Sequence, residues 1–426
     1  MNKEVIKARK QNMKIYSLYR AISLDLIFFY AIEFLFLTQV KHISSSDILL
    51  SISLYSIFMI ILQIPASIIV DKFGTRKCTI VANIFNSIFL ILIIFCRNLK
   101  MLIIAQFVSA LCYSLKNIAD SALIKYSIPK TKKDGEIFSR LEGRAYKNYY
   151  LLDASTSVLS GFLYVINPYI PIILSLCFSI LSVVMSLGFK DIEEVRNREK
   201  DVQKNEIEKY FNDLTKEIKF IINSQRLRSL FLYSGIAWGM FCLIGTYRPS
   251  FLVDIGTPEP VITTIAAILG IASSAGSKKQ IQFHNYFRNK SLSTILLLST
   301  ISIIITGVTG IISNSYKTTL IIVSICFIII AFSKGISGVL STRYLGNFLS
   351  EKIVTQIYAI NAISQNSFRA VIGLLGAYLL KITNTANSMF LIGIILLITT
   401  IGLINYMKNR LGLRPEQYDK KEIYEK

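Results

Sequence analysis

Apolar residues in this chain come in runs of about twenty, separated by short polar segments. A helix rising 1.5 Å per residue needs about 20 such residues to cross roughly 30 Å of hydrocarbon, so each run has the length of a membrane span. The pattern predicts twelve spans, at about 18–40, 48–70, 78–96, 101–125, 141–166, 170–189, 229–253, 261–282, 291–312, 319–342, 355–381 and 388–407. One long polar stretch, about 190–226, divides them into two sets of six. The predicted organisation is therefore a tail over 1–17, a six-helix bundle over 18–189, a linker over 190–228, a second six-helix bundle over 229–407 and a tail over 408–426. Within the linker, Ile207, Phe211, Leu214, Ile218 and Ile221 recur at helical spacing among Lys and Glu, which predicts an amphipathic surface helix.

Composition and charge sharpen this picture. With 53% of residues apolar and only 17% charged, the chain has too little polar surface to wrap a soluble globule of its size. A net charge of +21 would suit nucleic acid if the cations formed one face. They fall instead in alternate loops: Lys3, Lys7, Arg9, Lys10 and Lys14, then Lys72, Arg76 and Lys77, then Lys130, Lys132 and Lys133. The intervening loops are nearly bare, with Lys41, Arg97, Lys100 and Lys317 as the main exceptions. By the positive-inside rule this predicts a multi-pass protein of the cell membrane with both termini cytoplasmic, a lipid bilayer as its environment and no nucleic-acid partner. The first apolar run is too long for a signal h-region and no small-residue cleavage site follows it, so no cleaved leader is predicted.

Enzyme chemistry finds little support. The two histidines, His42 and His284, fall in predicted loops, and there is no phosphate-binding glycine loop or metal-ligand cluster. Cys78, Cys96, Cys112, Cys177, Cys242 and Cys326 are scattered singly through apolar spans, where they pack as small hydrophobes, so no disulfide framework, metal or cofactor is predicted.

Ionisable residues inside spans are better pointers. Each costs about 2.5 to 3.5 kcal/mol at the bilayer centre unless paired or hydrated. The chain keeps Asp25, Glu33, Lys116, Asp120, Lys147, Asp153, Arg248, Lys334, Arg343 and Arg369 there. Lys125, Arg140, Arg144 and Arg343 lie near span ends, where they can snorkel. Lys116 and Asp120 are four apart on one helical face and can neutralise each other. Lys334 has no such acid and needs a carboxylate from another helix, water or an anionic solute group, which makes it the first candidate for substrate contact. Lys116-Asn117-Ile118 and Lys334-Gly335-Ile336 occupy matching places in the fourth and tenth spans, a hint of internal repetition with a site at the repeat interface.

The most specific local motif is Asp71-Lys72-Phe73-Gly74-Thr75-Arg76-Lys77, preceded by Gln63-Ile64-Pro65. Gly74 permits a turn conformation costly to other residues, and Asp71 can accept charge-assisted bonds. This run resembles the cytoplasmic signature of the major facilitator superfamily, with Ser67 where the family has its first Gly and Thr75 where it often has Arg. Asp120-Ser121-Ala122-Leu123 and Gly143-Arg144-Ala145 resemble its efflux-like branches. Ile103 stands where the proton-coupled drug exporters carry Arg, and no Gly-Pro pair precedes Gly161, so their full pattern is not present.

The resemblance implies a major facilitator fold, all-α and integral to the membrane, with twelve transmembrane helices in two six-helix bundles. It also implies alternating access without enzyme activity, and Asp71, Gly74 and Arg76 as a latch. Glu33 and Arg248 then fall on helices that meet across the seam of that fold and are predicted either to bridge and close the outer side or to be hydrated separately. For the substrate the candidates are Lys334, Lys116, Arg369, Asp25 and Trp238, with Tyr113, Tyr146 and Tyr149 as further pocket wall. Asp25, Asp120 and Asp153 are candidates for proton coupling, because burial and a nearby cation push a carboxylate's proton affinity in opposite directions. The reading is a monomeric secondary exporter of a small anionic or zwitterionic organic solute, coupled to protons. Its rivals are multidrug efflux of cationic amphiphiles and a non-transporting sensor on a transporter fold.

Overall fold

The computed structural model describes residues 3–129, 134–190, 192, 219, 221, 223–313, 315–348, 354–408 and 410–411. Most of the predicted linker helix and the C-terminal tail lie outside the described residues, as do Lys130, Lys132 and Lys133. Every regular element among the described residues is helical. In chain order these are α1 (Lys3–Ser23), α2 (Phe29–Leu35) running into a π-helical turn (Phe36–Val40), α3 (Ser45–Phe73), α4 (Thr75–Phe95), α5 (Leu99–Ser127), α6 (Asp134–Ile166) and α7 (Tyr169–Leu187). There follow α8 (Gln225–Asp254), α9 (Glu259–Phe287), α10 (Ser291–Ile312), α11 (Tyr316–Phe348), α12 (Val354–Ile382) and α13 (Thr385–Met407).

Ten of these helices carry a stretch long and apolar enough to cross a membrane. The two remaining predicted spans differ in character. The eleventh corresponds to α12, 29 residues long but with Asn361, Gln365, Asn366 and Arg369 set into its sequence. The first, expected as one helix over 18–40, is broken. Its inner part belongs to α1, which begins at Lys3 and takes the predicted basic tail into the helix; the chain then leaves helical geometry before α2. Two local causes are visible. Asp25 Oδ1 accepts from the Leu26 N–H at 3.1 Å, a side-chain bond that competes with the helical ladder, and Phe28 holds φ +70. The carbonyl of Phe28 is taken by Ser160 Oγ of α6 at 3.0 Å, so the break leaves that group satisfied.

Helix ends follow from local chemistry. Asn98, Ser224 and Asn384 cap α5, α8 and α13 by accepting the N–H of Met101, Leu227 and Asn387. Gly74 holds φ +86 in the turn between α3 and α4, where a Cβ would be strained.

The chain forms two compact units, one of Met1–Ile43 with Ile57–Lys209 and one of Ser44–Ser56 with Tyr210–Lys426. In the first, α1 packs on α5, α6 and α7, α4 packs on α5 and α7, and α6 meets α7. In the second, α8 packs on α11, α12 and α13, α10 packs on α11 and α13, and α12 meets α13. Equating α1, α4, α5, α6 and α7 with α8, α10, α11, α12 and α13 reproduces the same pairings, so the packing repeats where the sequence only hinted at repetition. Small residues permit the closest approaches: a Cβ on Gly335 would meet Ser273 O at 1.9 Å, and one on Gly276 would meet Phe332 O at 2.2 Å. Gly335 thus seats α11 against α9.

Candidate functional site

The first unit holds a buried polar network around α5. Asp120, 1% exposed, accepts from Arg20 Nη1 at 2.8 Å, from Thr79 Oγ1 at 3.0 Å and from Tyr19 OH at 3.1 Å. Lys116, also 1% exposed, donates to Asn83 Oδ1 at 2.6 Å and lies 5.5 Å from the Tyr19 ring centroid. Asn83 in turn donates to Tyr19 OH at 2.8 Å. Lys116 and Asp120 act on each other electrostatically, as their spacing suggests, but the close ion pair to Asp120 comes from Arg20. The guanidinium of Arg20 reaches Asp120 from α1, and the Lys116 ammonium turns to the amide oxygen of α4. Sequence reasoning passed over Arg20, Tyr19, Thr79 and Asn83, whose partners lie 33 to 101 residues away along the chain.

A second group lies at the break before α2. Asp25 accepts from Tyr113 OH at 3.0 Å and from Tyr149 OH at 3.2 Å, in addition to Leu26 N–H. Asp153 is close enough to interact electrostatically with Asp25. The two carboxylates thus share one region of the first unit with two tyrosines between α5 and α6. Tyr146 has no described side chain, and neither has Asp71. Arg76 Nη2 donates to Leu187 O at 3.3 Å, joining the turn after α3 to the end of α7. Glu33 sits in α2 of the first unit, and Arg248 in α8 of the second, with its Nε buried and without a hydrogen-bond partner among the described residues.

The second unit arranges its charges differently. A cavity of about 330 Å³ is lined by residues of α8, α11 and α12, among them Trp238, Lys334, Ser337, Ser341, Asn361 and Gln365. Lys334 is exposed on α11, and its Nζ stands 5.9 Å from the Trp238 ring centroid, a cation–π contact. Trp238 is itself 36% exposed. Among the described residues no carboxylate lines the cavity. The acids between Gln225 and Met407 are Asp254 and Glu259, at helix ends, and Glu351, which lies outside the described residues. Arg369, one turn beyond Gln365 along the Asn361–Gln365 side of α12, lies over the Tyr55 ring at 5.2 Å, and its Nε is buried without a hydrogen-bond partner among the described residues. Arg343 donates to Gln280 Oε1 at 2.7 Å, joining α11 to α9. The structure thus brings Lys334 and Trp238 together, puts Arg369 on the continuing stripe, and leaves Lys116 and Asp25 in the other unit.

Among the described residues no cluster of three or more His, Cys, Asp or Glu could hold a metal ion. Residues 21–366 match the family model described as Major Facilitator Superfamily. No curated protein shows a significant sequence match. Among solved structures, the nucleoside transporter NupG aligns with TM-score 0.69 at 11% identity, covering 98% of this chain and 100% of its own. A POT family transporter in complex with 5-aminolevulinic acid aligns with TM-score 0.64 at 14% identity, covering 96% of each chain. A POT family transporter in complex with a thioalcohol-conjugated peptide aligns with TM-score 0.60 at 12% identity, again over 96% of each. At such identities the likeness concerns the fold alone.

Proposed function

The chain belongs to the Major Facilitator Superfamily, a multi-pass membrane transporter rather than an enzyme, and on that premise we propose that it is a secondary transporter whose solute is a small organic anion or zwitterion held at Lys334. The observation that carries this reading is an ammonium exposed in a cavity whose described lining residues include no carboxylate, inside a helix apolar enough to span a bilayer. A charge there needs a partner, and among the described residues the protein supplies only the face of Trp238. A cationic amphiphile would meet the wrong sign in this cavity. The neighbour that binds 5-aminolevulinic acid has a solute of the proposed kind, although its likeness to this chain is one of fold.

Arg369 is a second anion contact in this proposal. Asp25 and Asp153 are the better candidates for proton coupling, because Asp120 and Lys116 are enclosed in a network that leaves them no solute-facing surface. Alternating access between the two units carries the solute, and export is assigned on the likeness of Asp120–Leu123 and Gly143–Ala145 to efflux-like chains. Flux of small organic anions in proteoliposomes, with and without a pH gradient, tests the proposal. Replacing Lys334 with Ala lowers flux at least about tenfold, the loss expected when a charge-assisted contact to the solute is removed. Unchanged flux would remove Lys334 from the site, and binding without any flux would favour a sensor.

A further inference from the structure

The wall of the cavity in the second unit offers oxygen acceptors in a fixed arrangement. Gln365 Nε2 donates to Ser234 Oγ at 2.7 Å, which orients the amide and leaves its Oε1 without a protein partner among the described residues. Asn361 lies one turn earlier on the same side of α12, is 8% exposed, and its Oδ1 has no hydrogen-bond partner among the described residues. Among the described lining residues the cation is Lys334, and apolar surface comes from Trp238, Phe241 and Leu345. A solute with only an anionic head and an alkyl or aryl body would satisfy Lys334 and leave the amide oxygens unpaired once water is displaced, which costs affinity.

We propose that the solute of this cavity carries neutral O–H or N–H donors beside its anionic group. Hydroxylated or amide-bearing acids fit; alkyl and aryl acids do not. The anionic group meets Lys334, the donors meet Gln365 Oε1 and Asn361 Oδ1, and the carbon skeleton lies on Trp238. A cavity of about 330 Å³ sits at the lower end of the range for small-molecule sites, which suits a compact polar solute. This inference rests on the assignment of Lys334 above and adds a second chemical requirement to it.

Trp238 is the chain's single tryptophan, so its emission reports on this cavity directly. The test is a titration of the purified full chain with two matched pairs, gluconate against hexanoate and glucose 6-phosphate against hexyl phosphate, with thermal shift measured alongside. The hydroxylated member of at least one pair is expected to bind about tenfold or more tightly than its alkyl partner. Lys334→Gln abolishes binding of that member. Gln365→Leu and Asn361→Leu bring the ratio toward one while a Lys334-dependent response to the alkyl anion survives. If both members of each pair bind equally and still require Lys334, the donor requirement is wrong and the anion site stands. If binding occurs and is indifferent to Lys334, the anion site itself is wrong. No response to any of the four anions also overturns the assignment to hydroxylated acids.

Discussion

Lys116 and Lys334 stand at matching places in two helices that pack alike, α5 in the first unit and α11 in the second, yet their surroundings have diverged. Lys116 is enclosed and bonded to Asn83 beside an Asp120 that Arg20 neutralises. Lys334 is exposed in a cavity with an indole face and, among the described residues, no acid. A charge in hydrocarbon needs compensation in either case. Where the protein supplies it, the residue serves the fold; where it does not, the residue is available to a solute. The repeat therefore separates an enclosed lysine from an exposed one by partner rather than by position, and the proposed solute contact falls on the exposed one.

Substitutions that strike the two lysine environments should differ most in stability. Asp120→Asn leaves Arg20 buried without its counter-ion and should cost about 3 to 5 kcal/mol, read as a lower melting temperature and a lower folded yield. Replacing both Arg20 and Asp120 with apolar residues of similar volume should recover most of that loss. Gly335→Val drives a side chain into the Ser273 carbonyl and should cost about 1 to 3 kcal/mol, or more if α9 cannot shift, measured by thermal unfolding of the reconstituted protein. Tyr55→Leu removes the ring under Arg369 and should cost about 1 kcal/mol in the same assay. Lys334→Gln should fall within about 0.5 kcal/mol of the parent, as a change at a solvated position does.

Much of the fold was legible because hydrocarbon imposes a length: runs of about twenty apolar residues map onto ten helices, among the described residues, that are long and apolar enough to cross a membrane. The first span was not, since its break at Asp25 and Phe28 depends on a side-chain bond and a positive φ that apolarity does not encode. The candidate site was partly legible. Lys334 stood out as a cation without an acid on its helix, and Arg369 as a cation near the middle of its span. The pairing of Asp120 with Arg20 was hidden, because helical spacing offers Lys116 as the nearer partner and says nothing of what α1 presents. The cavity wall was also missed, although Asn361, Gln365 and Arg369 at four-residue steps are a polar stripe that the sequence displays openly.

The most direct measurement sets Lys334→Gln beside Asp120→Asn in thermal unfolding, each with and without a hydroxylated organic anion that stabilises the parent. The account predicts that Lys334→Gln keeps the ligand-free melting temperature and loses the ligand-dependent rise, while Asp120→Asn melts several degrees lower even without ligand. A ligand-free loss for Lys334→Gln as large as that for Asp120→Asn, or a ligand-dependent rise that survives the change at Lys334, would contradict it.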